Sequence, residues 1–320
     1  MAKNTGIDKK IAQIDNVLRS EFNKYFVHSE MDHKWGMMIS DVGHSSVPPN
    51  SDYPTKGHPI SHMFSWDRGR ILNEYQIVLI TQGAGTFESE SSGDIKLNRG
   101  DGFIIFPGEW HRYKPMLNTG WTEIWVGFHG KIADIIMKDY FFQKSNPVIP
   151  NCSKMLVMNL FTSIFQLMID EPYGYQKAAS SICMQLVAEI HNIQNRKSSA
   201  EVDNSIISKA KYVMQKRIDK TFDLELFCNS NGISYSKFRS DFKYQTGLAP
   251  MQYYILLKIE KAKYLISNTD LRAKEIAFLT GFNSEHYFCR LFKKKTGYST
   301  KAFKLNKGLI NSSNLRDNNI

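Results

Sequence analysis

The stretch KEIAFLTGFNSEHYFCRLFKKKTG, residues 274–297, decides how the C-terminal third folds, because residues 224–247, LELFCNSNGISYSKFRSDFKYQTG, repeat its plan at an offset of fifty. Glu225 matches Glu275, Leu226 matches Ile276, Ser234 matches Ser284, and Phe238 and Phe242 match Phe288 and Phe292. Lys243 matches Lys293, and Thr246 and Gly247 match Thr296 and Gly297. A fixed offset of this kind marks two copies of one supersecondary unit. In each copy an apolar helix, around Leu224 to Cys228 or Ala273 to Leu279, runs into a glycine turn at Asn231, Gly232, Ile233 or at Gly281, Phe282, Asn283. A serine then stands where a second helix needs its N-cap. That is the logic of a helix-turn-helix.

The second helix of each copy keeps its phenylalanines inward, which leaves a polar and basic face. In the first copy this face offers Ser236, Lys237, Arg239, Ser240 and Lys243; in the second, behind the capping Ser284, it offers His286, Arg290, Lys293 and Lys294. Arginine can grip guanine with two hydrogen bonds, while lysines and helix N-termini hold phosphates, so these ten residues are the candidate DNA contacts. The charge distribution agrees. Residues 205–304 carry 19 basic and 8 acidic side chains, against 22 and 23 in the rest of the 320-residue chain, so a basic third is joined to a neutral body. One basic helix alone would read as an ordinary solvated face; two copies with the same turn and cap do not. Between them, Ala249 and Pro250 open a helix that the spacing extends to about Ser267, roughly 27 Å at 1.5 Å per residue. This approaches the roughly 34 Å between successive major-groove faces of B-DNA.

The N-terminal part has a different grammar. Tyr75 to Thr81 is an apolar, β-branched run that the sequence closes with a turn at Gln82, Gly83, Ala84, Gly85; further turns fall at Ser91 to Asp94 and Asn98 to Gly102. Phe103 to Phe106 stops at Pro107 and Gly108, and Trp121 to Phe128 is a final strand. Strands this close together imply a small barrel or sandwich. From Asn151 the period changes: Met155, Leu156, Leu160, Ile164, Leu167 and Met168, then Ala179, Ile182, Cys183, Leu186, Val187 and Ile190, recur at helical spacing around a Glu171 to Gly174 turn. This hairpin either clads the barrel or leaves a stripe for a second subunit; we take it as the dimerisation element. Asn195 to Asn204 is polar enough to be a linker.

Composition excludes several classes. A hydrophobic fraction of 42% with 22% charged residues is that of a chain with real cores. The four cysteines, Cys152, Cys183, Cys228 and Cys289, lack metal spacing and fit a reducing compartment. Residues 1–10 lack the apolar core of a signal peptide, and no run of about 18 apolar residues could span a bilayer, so a cytoplasmic protein is expected.

The segment Lys274, Glu275, Ile276, Ala277, Gly281, Phe282, Tyr287, Phe288, Arg290, Leu291, Phe292, Lys293, Lys294, Thr296, Gly297 closely resembles the second helix-turn-helix signature of the AraC/XylS transcriptional regulators. The resemblance covers about 100 residues, including both copies and the linking Glu260, Lys261, Ala262. Thr300 stands where that family usually has proline, Lys304 where arginine closes the motif, and Ser240 where a basic residue is common. Arg99 to His111 resembles the cupin-type effector barrel that members carry at the N-terminus, and Trp121 to Phe128 its last strand. The resemblance implies a small-molecule effector, with Gln82, His111, Tyr113, Glu123 and Trp125 at or near pocket positions of sugar-responsive members. Period two puts Trp121, Glu123 and Trp125 on one face, and a carboxylate between two indoles is costly in a dry core, which favours a wet pocket and a carbohydrate ligand. His111 has no partner histidine spaced to complete a metal set, so neither metal nor cofactor is expected.

These readings combine into a multi-domain α+β chain. Residues 1–150 form a cupin-like β-barrel, 151–197 a helical dimerisation hairpin, 198–204 a linker, 205–307 an all-α double helix-turn-helix, and 308–320 a flexible tail. The expected activity is regulation of transcription rather than catalysis. Its partners are a double-stranded DNA operator, a carbohydrate effector, a second copy of the chain and, where it activates, RNA polymerase. The rivals are a cupin-type sugar isomerase with a basic nucleic-acid-binding tail, and a regulator whose barrel only assembles subunits.

Overall fold

The computed structural model describes residues 22–53, 65–138, 141–195 and 204–305. The expected linker falls outside these residues except for its two ends, Asn195, the last residue of one helix, and Asn204, the first of the next; the tail at 308–320 and the start of the barrel at 1–21 also lie outside them. The chain divides into two compact units, Met1–Lys197 and Ser198–Ile320.

The first unit is built on β1 (Phe22–Tyr25), α1 (Glu30–Trp35), β2 (Met38–Val47), β3 (Arg70–Ile71), β4 (Tyr75–Ser89), β5 (Gly93–Asn98), β6 (Gly102–Ile105), β7 (Trp110–Pro115), β8 (Trp121–His129), α2 (Lys131–Ile136), β9 (Val148–Ile149), α3 (Met155–Asp170) and α4 (Tyr175–Asn195). The strands run β1-β2-β8-β4-β6-β9, while the far half of β4 pairs with β5 and β7, and β3 pairs with β7. The turn expected at Gln82 to Gly85 is therefore not a turn. β4 passes straight through it, bulged between Ile80 and Gln82, and bends from one set of partners to the other. Glycine is needed at the bend: Gly83 has φ 77°, and a Cβ there would lie 2.1 Å from the Gly120 carbonyl oxygen.

Alternation along β8 sorts its side chains into two cores. Ile124, Val126 and Phe128 join Ile77, Leu79 and the hairpin residues Leu160, Ile164, Leu186 and Ile190 on the outer face of the sheet. Trp121 and Trp125 join Val78, Ile80, Phe87, Phe103 and Tyr113 inside the barrel. This corrects the reading of the hairpin stripes as a subunit contact. Ile164, Leu186 and Ile190 are 0% exposed within their own chain, because an antiparallel sheet with an apolar outer face must be covered.

The second unit comprises α5 (Asn204–Lys216), α6 (Leu224–Ser230), α7 (Tyr235–Thr246), α8 (Pro250–Asn268), α9 (Ala273–Leu279) and α10 (Glu285–Thr296). Each copy of the repeat has its own core, one around Phe238 and Phe242 and one around Phe288 and Phe292. α5 carries no counterpart in the sequence reading, although Ile207, Ala210 and Met214 pack in the first core. Among the described residues no helix is long and apolar enough to cross a membrane.

Candidate nucleic-acid interface and ligand chamber

In both repeats the turn between helices uses a left-handed glycine, Gly232 and Gly281, each at φ 65°. The following serine caps the second helix: Ser234 Oγ accepts from the Lys237 amide and Ser284 Oγ from the Tyr287 amide. The helices end on Gly247 and Gly297, again left-handed. Anchored through fully buried phenylalanine pairs, α7 and α10 turn their other faces to solvent. Ser236, Lys237, Arg239, Ser240 and Lys243 are all exposed on α7, and His286, Arg290, Lys293 and Lys294 on α10. Two of the candidates have other employment. Lys237 pairs with Asp241 at 2.9 Å, and the Ser284 hydroxyl is engaged in its cap. Lys295, absent from the sequence-derived set, extends the exposed basic run of α10.

The barrel interior collects charge and aromatic rings from strands far apart in sequence. Arg70 on β3 donates from Nη2 to the Tyr113 hydroxyl at 2.5 Å and from Nε to His111 Nε2 at 3.2 Å. His111 Nδ1 lies 3.0 Å from the Glu109 carbonyl, which assigns the proton to Nδ1 and leaves Nε2 to accept from Arg70. Burial, and then the neighbouring Arg70 guanidinium, pull the His111 imidazole down to about 4, so the ring is neutral. Burial likewise pushes the Tyr113 and Tyr53 phenols up. Burial works against the Arg70 charge, but the surrounding Tyr113, Tyr53, Glu123 and Asp41 outweigh it and raise its pKa. Asp41, 1% exposed, accepts from Trp125 Nε1 at 2.8 Å, Gln76 Nε2 at 3.0 Å and Ser40 Oγ at 2.8 Å.

Four of the five sequence-derived effector residues, His111, Tyr113, Glu123 and Trp125, thus converge in the buried part of the barrel. Gln82 does not. The bulge puts it opposite Thr122 rather than Trp121, and its side chain is exposed, so it is removed from the barrel interior. Trp125 is part of the wall, its N–H held by Asp41 and its ring over Gly43, where a Cβ would come within 2.0 Å. Sequence reasoning missed Arg70, Asp41, Gln76 and Tyr53. The signal available for Arg70 was faint, since its strand has two residues.

One polar atom in the chamber stands out. The Trp121 Nε1–H is buried with no hydrogen-bond partner among the described residues, a deficit worth about 1–3 kcal/mol. Tyr53, edge-on to Trp121 with ring centroids 6.0 Å apart, also lines a cleft of about 420 Å³ at the rim, together with Asp52, Trp66, Thr86 and Lys114. That volume lies within the usual range of small-molecule sites, about 300–1,000 Å³. Among the described residues no cluster of three or more His, Cys, Asp or Glu side chains could hold a metal ion.

Comparison with known proteins accords with both halves. The AraC-like ligand binding domain family matches residues 57–190, and a helix-turn-helix domain family matches residues 227–306. The arabinose operon regulatory protein of Escherichia coli strain K12 is 24% identical over 250 residues, covering 75% of this chain and 84% of that protein. The MmsAB operon regulatory protein of Pseudomonas aeruginosa is 26% identical over 267 residues, 79% of this chain and 82% of that protein. The HTH-type transcriptional activator RhaR of Cronobacter sakazakii is 28% identical over 134 residues, 41% of this chain and 47% of that protein.

Proposed function

The chain belongs to the AraC-type transcriptional regulators, and on that premise we propose that a neutral, hydroxyl-rich ligand, a sugar, enters the N-terminal barrel and governs how the reader helices engage DNA. The observation that carries the effector is the buried Trp121 N–H without a partner among the described residues, set beside Tyr53, Tyr113 and the Arg70–Glu123 charges. A sugar hydroxyl would satisfy that N–H, and its CH faces suit the rings. The relation to a protein named for the arabinose operon supports the same ligand class. His111, Tyr113, Glu123 and Trp125 form or back the site in this reading, and Gln82 is excluded from it.

In this reading the protein works as a cytoplasmic homodimer on an operator, and as an activator it meets RNA polymerase. Because Leu160, Ile164, Leu186 and Ile190 are closed within the subunit, the dimer contact falls on the hairpin residues left exposed, Met155, Leu156 and Met184. Ligand must bind one arrangement of the dimer more tightly than another to shift DNA binding. Arg290 reads a base, while Lys243 and Lys293 hold phosphate. The test is calorimetric titration of the full chain with neutral mono- and disaccharides. One of them should bind, and Trp121→Phe should weaken it about 2- to 10-fold by removing one donor. A folded protein that binds none of them at millimolar concentration refutes the sugar reading.

A further inference from the structure

The two helix-turn-helix units have separate cores, and the boundary between them falls on α8. Tyr254 and Leu257 pack into the first core, Ile259 and Ala262 into the second. Lys258 stands between them, and it is 6% exposed, although a lysine is almost never buried unless it is paired. Its ammonium donates to the Lys220 carbonyl at 3.2 Å, just beyond the end of α5 in the first helix-turn-helix unit, and to the Gly281 carbonyl at 2.7 Å, in the turn of the second helix-turn-helix unit. It lies 4.8 Å from the centre of the Tyr254 ring and 5.3 Å from that of Phe282, again one ring from each unit. One turn earlier on the same face, the Tyr254 hydroxyl shares its one proton between the Arg217 and Lys220 carbonyl oxygens, each 2.6 Å away, which ties that segment to α8. The two units also touch at Gly281. A Cβ there would lie 2.6 Å from the Asp219 carbonyl carbon and 2.8 Å from Lys258 Nζ, so the turn of the second unit rests on the backbone of the first.

From this geometry we propose that Lys258 is a positioning residue for DNA recognition: it locks the second helix-turn-helix unit to the first and so fixes the spacing at which α7 and α10 read the duplex. A helix alone leaves each unit free to roll on its own core. Two carbonyls from different units, gripped by one ammonium, remove that freedom. Burial holds the Lys258 pKa below the ordinary lysine range, with Asp219 opposing, so the group is a strained choice for stability alone. B-DNA turns roughly 35° per base pair at 10–10.5 base pairs per turn, so a joint that yields by that angle lets the second motif slip by one base pair.

The test uses the full chain to select duplexes from a random pool, and reads the spacing between the two motifs recovered. Wild type should give one spacing. Lys258→Met should spread it over at least one base pair either way and weaken binding to the wild-type site about 10-fold, with unchanged affinity for a duplex carrying a single motif. Lys258→Arg, which keeps donors for both carbonyls, should restore the single spacing. Should Lys258→Met fail to fold, Gly281→Ala, whose methyl forces the turn off both the Asp219 backbone and the Lys258 ammonium, must shift or broaden the spacing. A folded Lys258→Met or Gly281→Ala protein with wild-type spacing overturns the proposal, as does equal loss on one-motif and two-motif duplexes. A wild-type pool with one motif overturns the two-reader reading beneath it.

Discussion

Trp125 and Gly43 face each other across the β2–β8 pair, and their coupling can be worked out in advance. Trp125 is 7% exposed and donates to Asp41 at 2.8 Å. Truncating a buried aromatic to alanine costs about 3–5 kcal/mol, and losing a hydrogen bond to a charged group adds about 1.5–3 kcal/mol. Trp125→Ala should therefore lose about 4.5–8 kcal/mol, much of the roughly 5–15 kcal/mol that holds a domain together. Loss of ligand response in that variant would report on the fold rather than on contact with the effector. Gly43→Ala puts a methyl 2.0 Å from the indole and should cost about 1–3 kcal/mol by overpacking. With Trp125 already alanine the clash is gone, and the same change should stabilise the strand by about 0.5–1 kcal/mol. The double-mutant cycle should thus show a coupling of about 1.5–4 kcal/mol. All five tryptophans, at 35, 66, 110, 121 and 125, lie in the first unit, so urea unfolding followed by indole fluorescence reports that unit alone. Additive effects, with coupling below about 0.5 kcal/mol, would refute the packing of Trp125 on Gly43.

Three further outcomes are expected. Arg290→Ala should cost about 1–3 kcal/mol on a selected site and relax one base preference, while Lys293→Ala should weaken all duplexes alike and lower the salt slope by about one; equal losses for Arg290→Ala on selected and random DNA would remove its base-reading role. Ile164→Asp or Leu186→Asp should unfold the first unit rather than release soluble monomers, because both side chains are fully enclosed; circular dichroism with sedimentation velocity separates these outcomes, and a folded monomer would reinstate the stripe as a subunit contact. The depressed folded-state pKa of His111 means the unfolded chain binds the proton first as pH falls, so stability present above about pH 6.5 should be lost toward pH 4, up to about 3 kcal/mol. Chemical denaturation across that range should show a shallower acid slope for His111→Asn, and an unchanged slope would mean that another group is responsible.

What could be read directly from the sequence was local. Helix period, glycine turns, capping serines and the offset of fifty are properties of a few consecutive residues, so both helix-turn-helix units, the helix from Pro250 and the shared face of Trp121, Glu123 and Trp125 were legible before any coordinates. The tertiary structure decided what those faces meet. Asp41 holds the indole of Trp125 across 84 residues, and Arg70 reaches His111 across 41. Neither link leaves a periodic trace, because a two-residue strand is too short to have a period and a buried ion is specified by its partners. A single bulge between Ile80 and Gln82 turned Gln82 to the outside, since side chains alternate and one extra residue reverses every face beyond it. The stripes of α3 and α4 carry the same apolar pattern whether they cover a sheet or a second subunit. That choice belongs to the sheet's outer face, whose apolar residues come from strands that only folding brings together.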